Sequence, residues 1–195
     1  YYWTRQIPVC EDAAEFDRLY EDAAQCGDED RRLGILLEAC YKYKGEFLST
    51  YTAVLWAGAE ARRYRRQFCE CVESAASIIR KKEDWNRLEE LGRYAAETVP
   101  FANWESLVME AFMEQGRYEE AGRLYADTVD HYLREQGVYP SARLLAMMEK
   151  LGERMKHSYA VLDQIQKRLS EAPGEKTGGY QCSYPVFRGI YQTVV

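Results

Sequence analysis

Two histidines, six cysteines and thirty-two carboxylates are the side chains in this 195-residue chain suited to proton, nucleophile or metal chemistry. His131 and His157 have no Ser or Cys at any spacing recognised for a nucleophile–His pair, so acyl transfer has no support. Cys69 and Cys71 lie two apart on a predicted helix, a step that turns about 200°, so they diverge and cannot easily share a metal ion. Cys10, Cys26, Cys40 and Cys182 add no CxxC pair, and no signal peptide precedes them; all six are expected as reduced thiols of a cytoplasmic protein. The carboxylates are spread along solvent-facing helix positions, with no acidic pair on an apolar surface where general acid–base work is done. Gly174-Glu175-Lys176-Thr177 matches the end of a phosphate-binding loop, but the upstream Gly spacing and the preceding strand are missing, and Pro173 to Gly179 reads as a linker. The expectation is a chain that is not an enzyme and carries no cofactor and no metal.

One charged constellation remains. Arg62, Arg63, Arg65 and Arg66, with Arg80, Lys81 and Lys82 at the far end of the same predicted helix, form the only dense basic cluster. Such a run is either a solvated face with cations near the helix C-terminus, or a contact for a partner protein or phosphate; the four arginines are the candidate partner surface. A net charge of −6 and a pI near 5.2 argue against a domain whose main work is to coat DNA. No apolar run is long enough to cross a bilayer, so no membrane contact is expected.

The elements that position these residues are helical. Gln115 to Tyr125 has the turn and second-helix opening of a tetratricopeptide repeat: Gly116 for the turn, then Tyr118, Ala121 and Tyr125 recurring at 3 and 4 along one face. Thirty-three residues upstream a second copy places Trp85 where Tyr118 stands, and Leu88, Gly92 and Ala95 where Ala121, Tyr125 and Thr128 stand; Pro100 closes that unit. The helices before the two turns align Val72, Ala75, Ala76 and Ile79 with Glu105, Val108, Met109 and Phe112, Glu105 being the mismatch. A weaker third copy has Leu37 and Tyr41 before Lys44-Gly45-Glu46-Phe47, and then breaks. Ser49 to Thr52 reads as a turn, followed by a long helix from about Val54 to Lys82 with apolar marks at Trp56, Tyr64, Phe68, Val72, Ala75 and Ile79.

Upstream, Glu11 to Gln25 reads as an amphipathic helix with Ala14, Phe16, Leu19, Tyr20 and Ala23 inward. It stops at Gly27, and Asp28-Glu29-Asp30 opens a helix that buries Leu33, Leu36, Leu37, Cys40 and Tyr41. Downstream, the helix after Gly116 runs to Glu135. A helix from Ser141 to Met155 with Leu144, Leu145, Met148 and Leu151 covers the open end of the stack, and a further helix spans Ser158 to Leu169. Most of the sixteen tyrosines are expected in or beside the core, the others lining a concave groove able to take a peptide or helix. The fold expectation is all-α: about three helix-hairpin units in a right-handed tetratricopeptide-like superhelix with a capping helix, over 11–170. Residues 1–10 read as an extended segment and 171–195 as a linker and the start of a further element. Tyr1 and Val195 look like cut ends of a longer polypeptide.

Three segments carry a family likeness. Tyr43-Lys44-Gly45-Glu46-Phe47-Leu48, Trp56 followed by Arg63-Tyr64, and Leu133-Arg134-Glu135-Gln136-Gly137-Val138-Tyr139-Pro140-Ser141 stand in the order and spacing of the bacterial transcriptional activator domain, the helical module of Streptomyces antibiotic regulatory protein-type regulators. The chain resembles that family from about Asp12 to Gly152, departing from it at Gln136, where Leu is usual, and at Lys82-Glu83, where the turn lacks Gly. The resemblance implies a regulatory module in which DNA is read by a separate winged-helix domain. Its partners would be proteins: that DNA-binding domain, a second protomer in a homodimer, or the transcription machinery. Without the resemblance, the residues fit a tetratricopeptide-like scaffold holding a partner peptide in another pathway.

Overall fold

The computed structural model describes residues 12–47, 55–137 and 141–171, with 135–136 and 158–171 as backbone alone. Pro140, the Ser49–Thr52 turn, residues 1–10 and the 173–179 linker lie outside the described residues. Every regular element described is a helix: α1 (Asp12–Gln25), α2 (Glu29–Lys42), α3 (Leu55–Lys81), α4 (Trp85–Thr98), α5 (Glu105–Glu114), α6 (Tyr118–Gln136) and α7 (Ala142–Glu171). From α1 to α6 each helix packs on the next. The chain divides into two compact units, 1–156 and 157–195.

The helix starts follow from local chemistry. Asp28 and Asp84 accept the backbone N–H groups of Arg31 and Arg87 at 2.7 and 3.2 Å, so α2 and α4 begin where a short acceptor satisfies an orphan donor. Ser141 does the same for Leu144 at 3.3 Å and opens α7. Asn, Pro and Gly are absent between Glu153 and Glu171, and α7 runs through Ser158 as one helix where two were expected.

The two repeat turns share one backbone geometry. In each, a residue with positive φ follows the helix, Glu83 at 54° and Gly116 at 75°. In each, the next residue's N–H reaches five residues back, from Asp84 to Ile79 at 3.3 Å and from Arg117 to Phe112 at 2.8 Å. This is the Schellman closure of a helix C-terminus, which favours glycine because a Cβ crowds the following carbonyl. The first turn therefore keeps the shape while Glu83 bears the strain. Glu83→Gly is expected to raise stability by about 0.5–1 kcal/mol, the relief of the left-handed conformation less the added freedom of the unfolded chain, and Tm by roughly 1–4 °C. A thermal melt checks it, with Gly116→Ala moving the other way.

The core has a large part on α1–α4 and two smaller clusters on α5–α7. Phe16, Leu33, Leu36, Phe68, Val72, Ile79, Leu88, Leu91 and Ala95 belong to the first. Val108, Phe112, Ala121 and Leu151 form the second, with Tyr118 against it; Met109, Tyr132 and Leu144 form the third, with Tyr125 half-buried beside them. Glu105 departs from the repeat pattern because it is the first residue of α5. There it accepts the Tyr132 hydroxyl at 3.1 Å, and the helix dipole favours its charge.

Several inward assignments are corrected. Ala14, Tyr41, Leu145 and Met148 are exposed; Ala13, Ala39 and Met147 take the inward slots beside them. The largest correction is Trp56, 61% exposed although assigned to packing. The eight-residue step from Trp56 to Tyr64 overshoots two helical turns by about 80°, so the buried stripe of α3 passes through Ala57 and Ala61 instead.

Candidate functional site

The four arginines of the basic cluster have different roles once α3 is packed. Arg63 turns inward along the flank of α1. Its guanidinium donates to Asp17 at 2.7 and 3.2 Å and to Glu60 at 2.7 Å, and lies 4.2 Å over the Tyr64 ring. Tyr64 donates to the same Asp17 at 3.0 Å. Arg63 thus fastens α3 to α1, which corrects its assignment to a partner surface. Asp17 lies one residue past buried Phe16, at the border of the apolar stripe, a position from which a carboxylate reaches a neighbouring helix. The sequence shows that border but not which cation arrives there.

Burial tends to push the Asp17 carboxyl up, but the hydrogen bonds from Arg63 and Tyr64 and the Arg63 charge outweigh it and hold its pKa below the ordinary value. A folded pKa depressed in this way gives stability that is complete above the unfolded value and lost as pH falls through the folded one. Acidification below roughly pH 4 is therefore expected to weaken the native chain more steeply than its Asp17→Asn variant, as urea titrations at a series of pH values would show.

At the far end of α3, Arg80 grips Glu110 of α5 through two bonds of 2.7 Å, Lys81 pairs with Glu29, and Lys82 with Asp30. These three cations join helices. Arg62 and Arg65 are exposed with no ion-pair partner among the described residues, and Arg66 meets Glu70 only at 3.9 Å. Beside them at the start of the same helix stand Leu55, 92% exposed, and Trp56. The uncovered end of α3 thus presents apolar side chains next to unneutralised positive charge.

The repeat-signature residues are distributed through the same stack. Leu88, Ala95, Phe112 and Ala121 are buried; Phe47, Trp85, Tyr118 and Tyr125 are half-buried against the core; and Pro100 is exposed one residue past the α4 cap. Gly45 and Phe47 belong to a cleft of about 470 Å³ between α1, α3 and the segment after α2. Tyr43 and Tyr64 line its floor and Lys42, Lys44 and Glu46 its rim, giving mixed charge over an aromatic base. Arg117, which sequence reading passed over, clamps α6 to α4: it donates to Glu89 and Glu120 and lies 4.2 Å over the Phe112 ring. Its only sequence signal is its place just before the Tyr118 helix.

The groups considered for chemistry are placed as follows. His131 stacks on Phe101 at 5.2 Å, and His157 is exposed. Cys40 and Cys71 are buried, and burial pushes both thiols up, Cys71 to about 12, which keeps them protonated and unreactive. Among the described residues no three His, Cys, Asp or Glu side chains are grouped to hold a metal ion, and no helix is long and apolar enough to cross a membrane.

No curated protein and no solved structure matches this sequence significantly. The family model of the bacterial transcriptional activator domain does match, across 11–151, which takes in α1 to α6 and the start of α7, including the turns and the exposed end of α3. On that match, which covers well over half the chain, this helical protein belongs to the bacterial transcriptional activator domain family, a family of regulatory domains with a tetratricopeptide-like fold.

Proposed function

We propose that this domain works by protein contact within a transcriptional regulator, and that its working surface is the exposed end of α3: Leu55, Trp56, Arg62, Arg65 and Arg66. The observation that carries the proposal is the juxtaposition of a 61% exposed Trp56 with Arg62 and Arg65, which no carboxylate among the described residues neutralises. Trp and Arg are the side chains that concentrate binding energy at protein interfaces, where an aromatic anchor fills a pocket and nearby charge sets the choice of partner. The matching surface is an acidic protein face with an apolar pocket: the regulator's own DNA-binding domain, a second protomer or the transcription machinery. DNA itself is read by the separate domain, and the helical stack over 11–170 is the part that receives or relays the signal.

The test is a reporter assay with the regulator carrying this domain. Arg62→Glu, Arg65→Glu and Arg66→Glu together, and separately Trp56→Ser, are expected to reduce activation about tenfold or more, the effect of losing about 1.4 kcal/mol or more of binding, with helical circular dichroism unchanged. Arg63 is left alone because its loss would loosen α1. Full activation by both variants would refute the α3 surface and favour a scaffold that holds a peptide in the cleft above Tyr43 and Tyr64.

A further inference from the structure

Five half-buried arginines among the described residues each hold a carboxylate: Arg63 on Asp17, Arg80 on Glu110 and Arg117 on Glu89 at 2.7 Å, Arg143 on Glu73 at 2.6 Å, and Arg154 on Glu114 at 2.5 Å. Arg32, also half-buried, holds none, and its Nε is enclosed with no hydrogen-bond acceptor. An arginine Nε–H withdrawn from water without an acceptor is costly, and a carboxylate is a group that can take it together with a neighbouring guanidinium N–H.

Arg32 lines a cavity of about 280 Å³ between α1, α2 and α3. Glu70 lines the same cavity; its carboxylate accepts the Tyr20 hydroxyl at 2.5 Å and keeps lone pairs for another donor. Ala23 and Leu36 supply apolar wall, and Ser74 a hydroxyl. One cavity therefore offers an arginine with an unsatisfied Nε–H, a carboxylate and an apolar surface, with room for about nine water-sized groups at roughly 30 Å³ each.

We infer that this cavity binds a small α-amino acid, its carboxylate on Arg32, its ammonium on Glu70 and its short side chain against Ala23 and Leu36. A zwitterion answers both charges at once. Inorganic phosphate would satisfy Arg32 but set a second negative charge against Glu70, and a plain carboxylate would leave Glu70 unused. The bound molecule would tie three helices together, making the stability of the α1–α3 end respond to a metabolite. No residue of the exposed end of α3 lines the cavity, and the two touch only where Arg66 meets Glu70 at 3.9 Å, so the cavity is tested apart from the partner surface.

The experiment follows the Arg32 Nε–H resonance in the ¹⁵N-labelled full chain, assigned by its loss in Arg32→Gln, while glycine, L-alanine and L-serine are titrated with propionate and inorganic phosphate in parallel. At least one amino acid is expected to give a saturable shift with Kd on the order of 1 mM, with propionate about tenfold weaker and phosphate silent. Glu70→Gln should bring the amino acid down to the level of propionate. The absence of a saturable shift with all three amino acids would overturn the inference, as would equal binding of propionate or a shift with phosphate alone. The wild-type titration carries the result even where a variant fails to fold.

Discussion

Phe68→Ala is expected to destabilise the protein by about 3–5 kcal/mol, whereas Trp56→Ala, the loss of a larger aromatic from the same helix, should stay within about 0.5 kcal/mol. Phe68 has no exposed surface and stacks on Tyr43 with ring centroids 4.6 Å apart, close to Phe16 and Tyr64, which meet at 5.8 Å. Truncating it opens a cavity where α1, α2 and α3 converge, and the surrounding rings cannot close it without leaving their own partners. Trp56 is mostly in water already, so its removal sacrifices little burial. Urea denaturation reads both variants: the Phe68 midpoint should fall at constant slope while the Trp56 midpoint stays near wild type. Equal destabilisation of the two would mean that Trp56 is packed, and with it the proposed partner surface would be lost.

Gly92→Ala should lower stability by about 1–3 kcal/mol, although the same change in an exposed helix interior raises it by up to about 1 kcal/mol. A Cβ on Gly92 would lie 2.8 Å from Val108 Cγ2, 3.1 Å from Leu107 Cβ and 3.2 Å from the Val108 backbone nitrogen. The Val108 methyl could swing away, but the backbone nitrogen cannot without moving α5. Gly92 thus lets α4 and α5 approach closely for want of a side chain. The cost should shrink in a Val108→Ala background, because the nearest clashing atom is then gone, and a double-mutant cycle would show that coupling. A stabilised Gly92→Ala variant would mean that the two helices stand further apart.

These two changes also mark how much was legible beforehand. The 3-and-4 spacing of Val72, Ala75, Ala76 and Ile79 reads directly as a buried stripe, and all four are fully buried, because helical periodicity maps sequence onto a face whatever the partner is. The same rule misled at Trp56, where an eight-residue step was accepted in place of seven, and at Tyr41, Leu145 and Met148, which border their stripes and fall on the wet side. A stripe has an edge, and which bordering residue is covered depends on how closely the next helix approaches.

Charge was less legible than burial. Seven basic residues on or just past α3 look alike in sequence, yet Arg63, Arg80, Lys81 and Lys82 are drawn to carboxylates on α1, α5 and α2 that stand 30 to 52 positions away in the chain. Local composition cannot announce an acceptor at that separation, so the cluster read as one surface separates into joints and a free remainder. Arg32 shows the converse, an ordinary exposed-looking residue beside Asp30 and Arg31 whose lack of a partner emerges only when three helices enclose it.

The amino-acid order was enough to establish the helical character of the described elements, the capped starts of α2 and α4, the two repeat turns and the family it resembles, because these rest on period, capping and turn chemistry that act within about ten residues. Which aromatic is buried, which arginine is free, and that Gly92 sits under Val108 were settled by packing between helices, where distances of a few tenths of an ångström and carboxylates remote in sequence set the outcome.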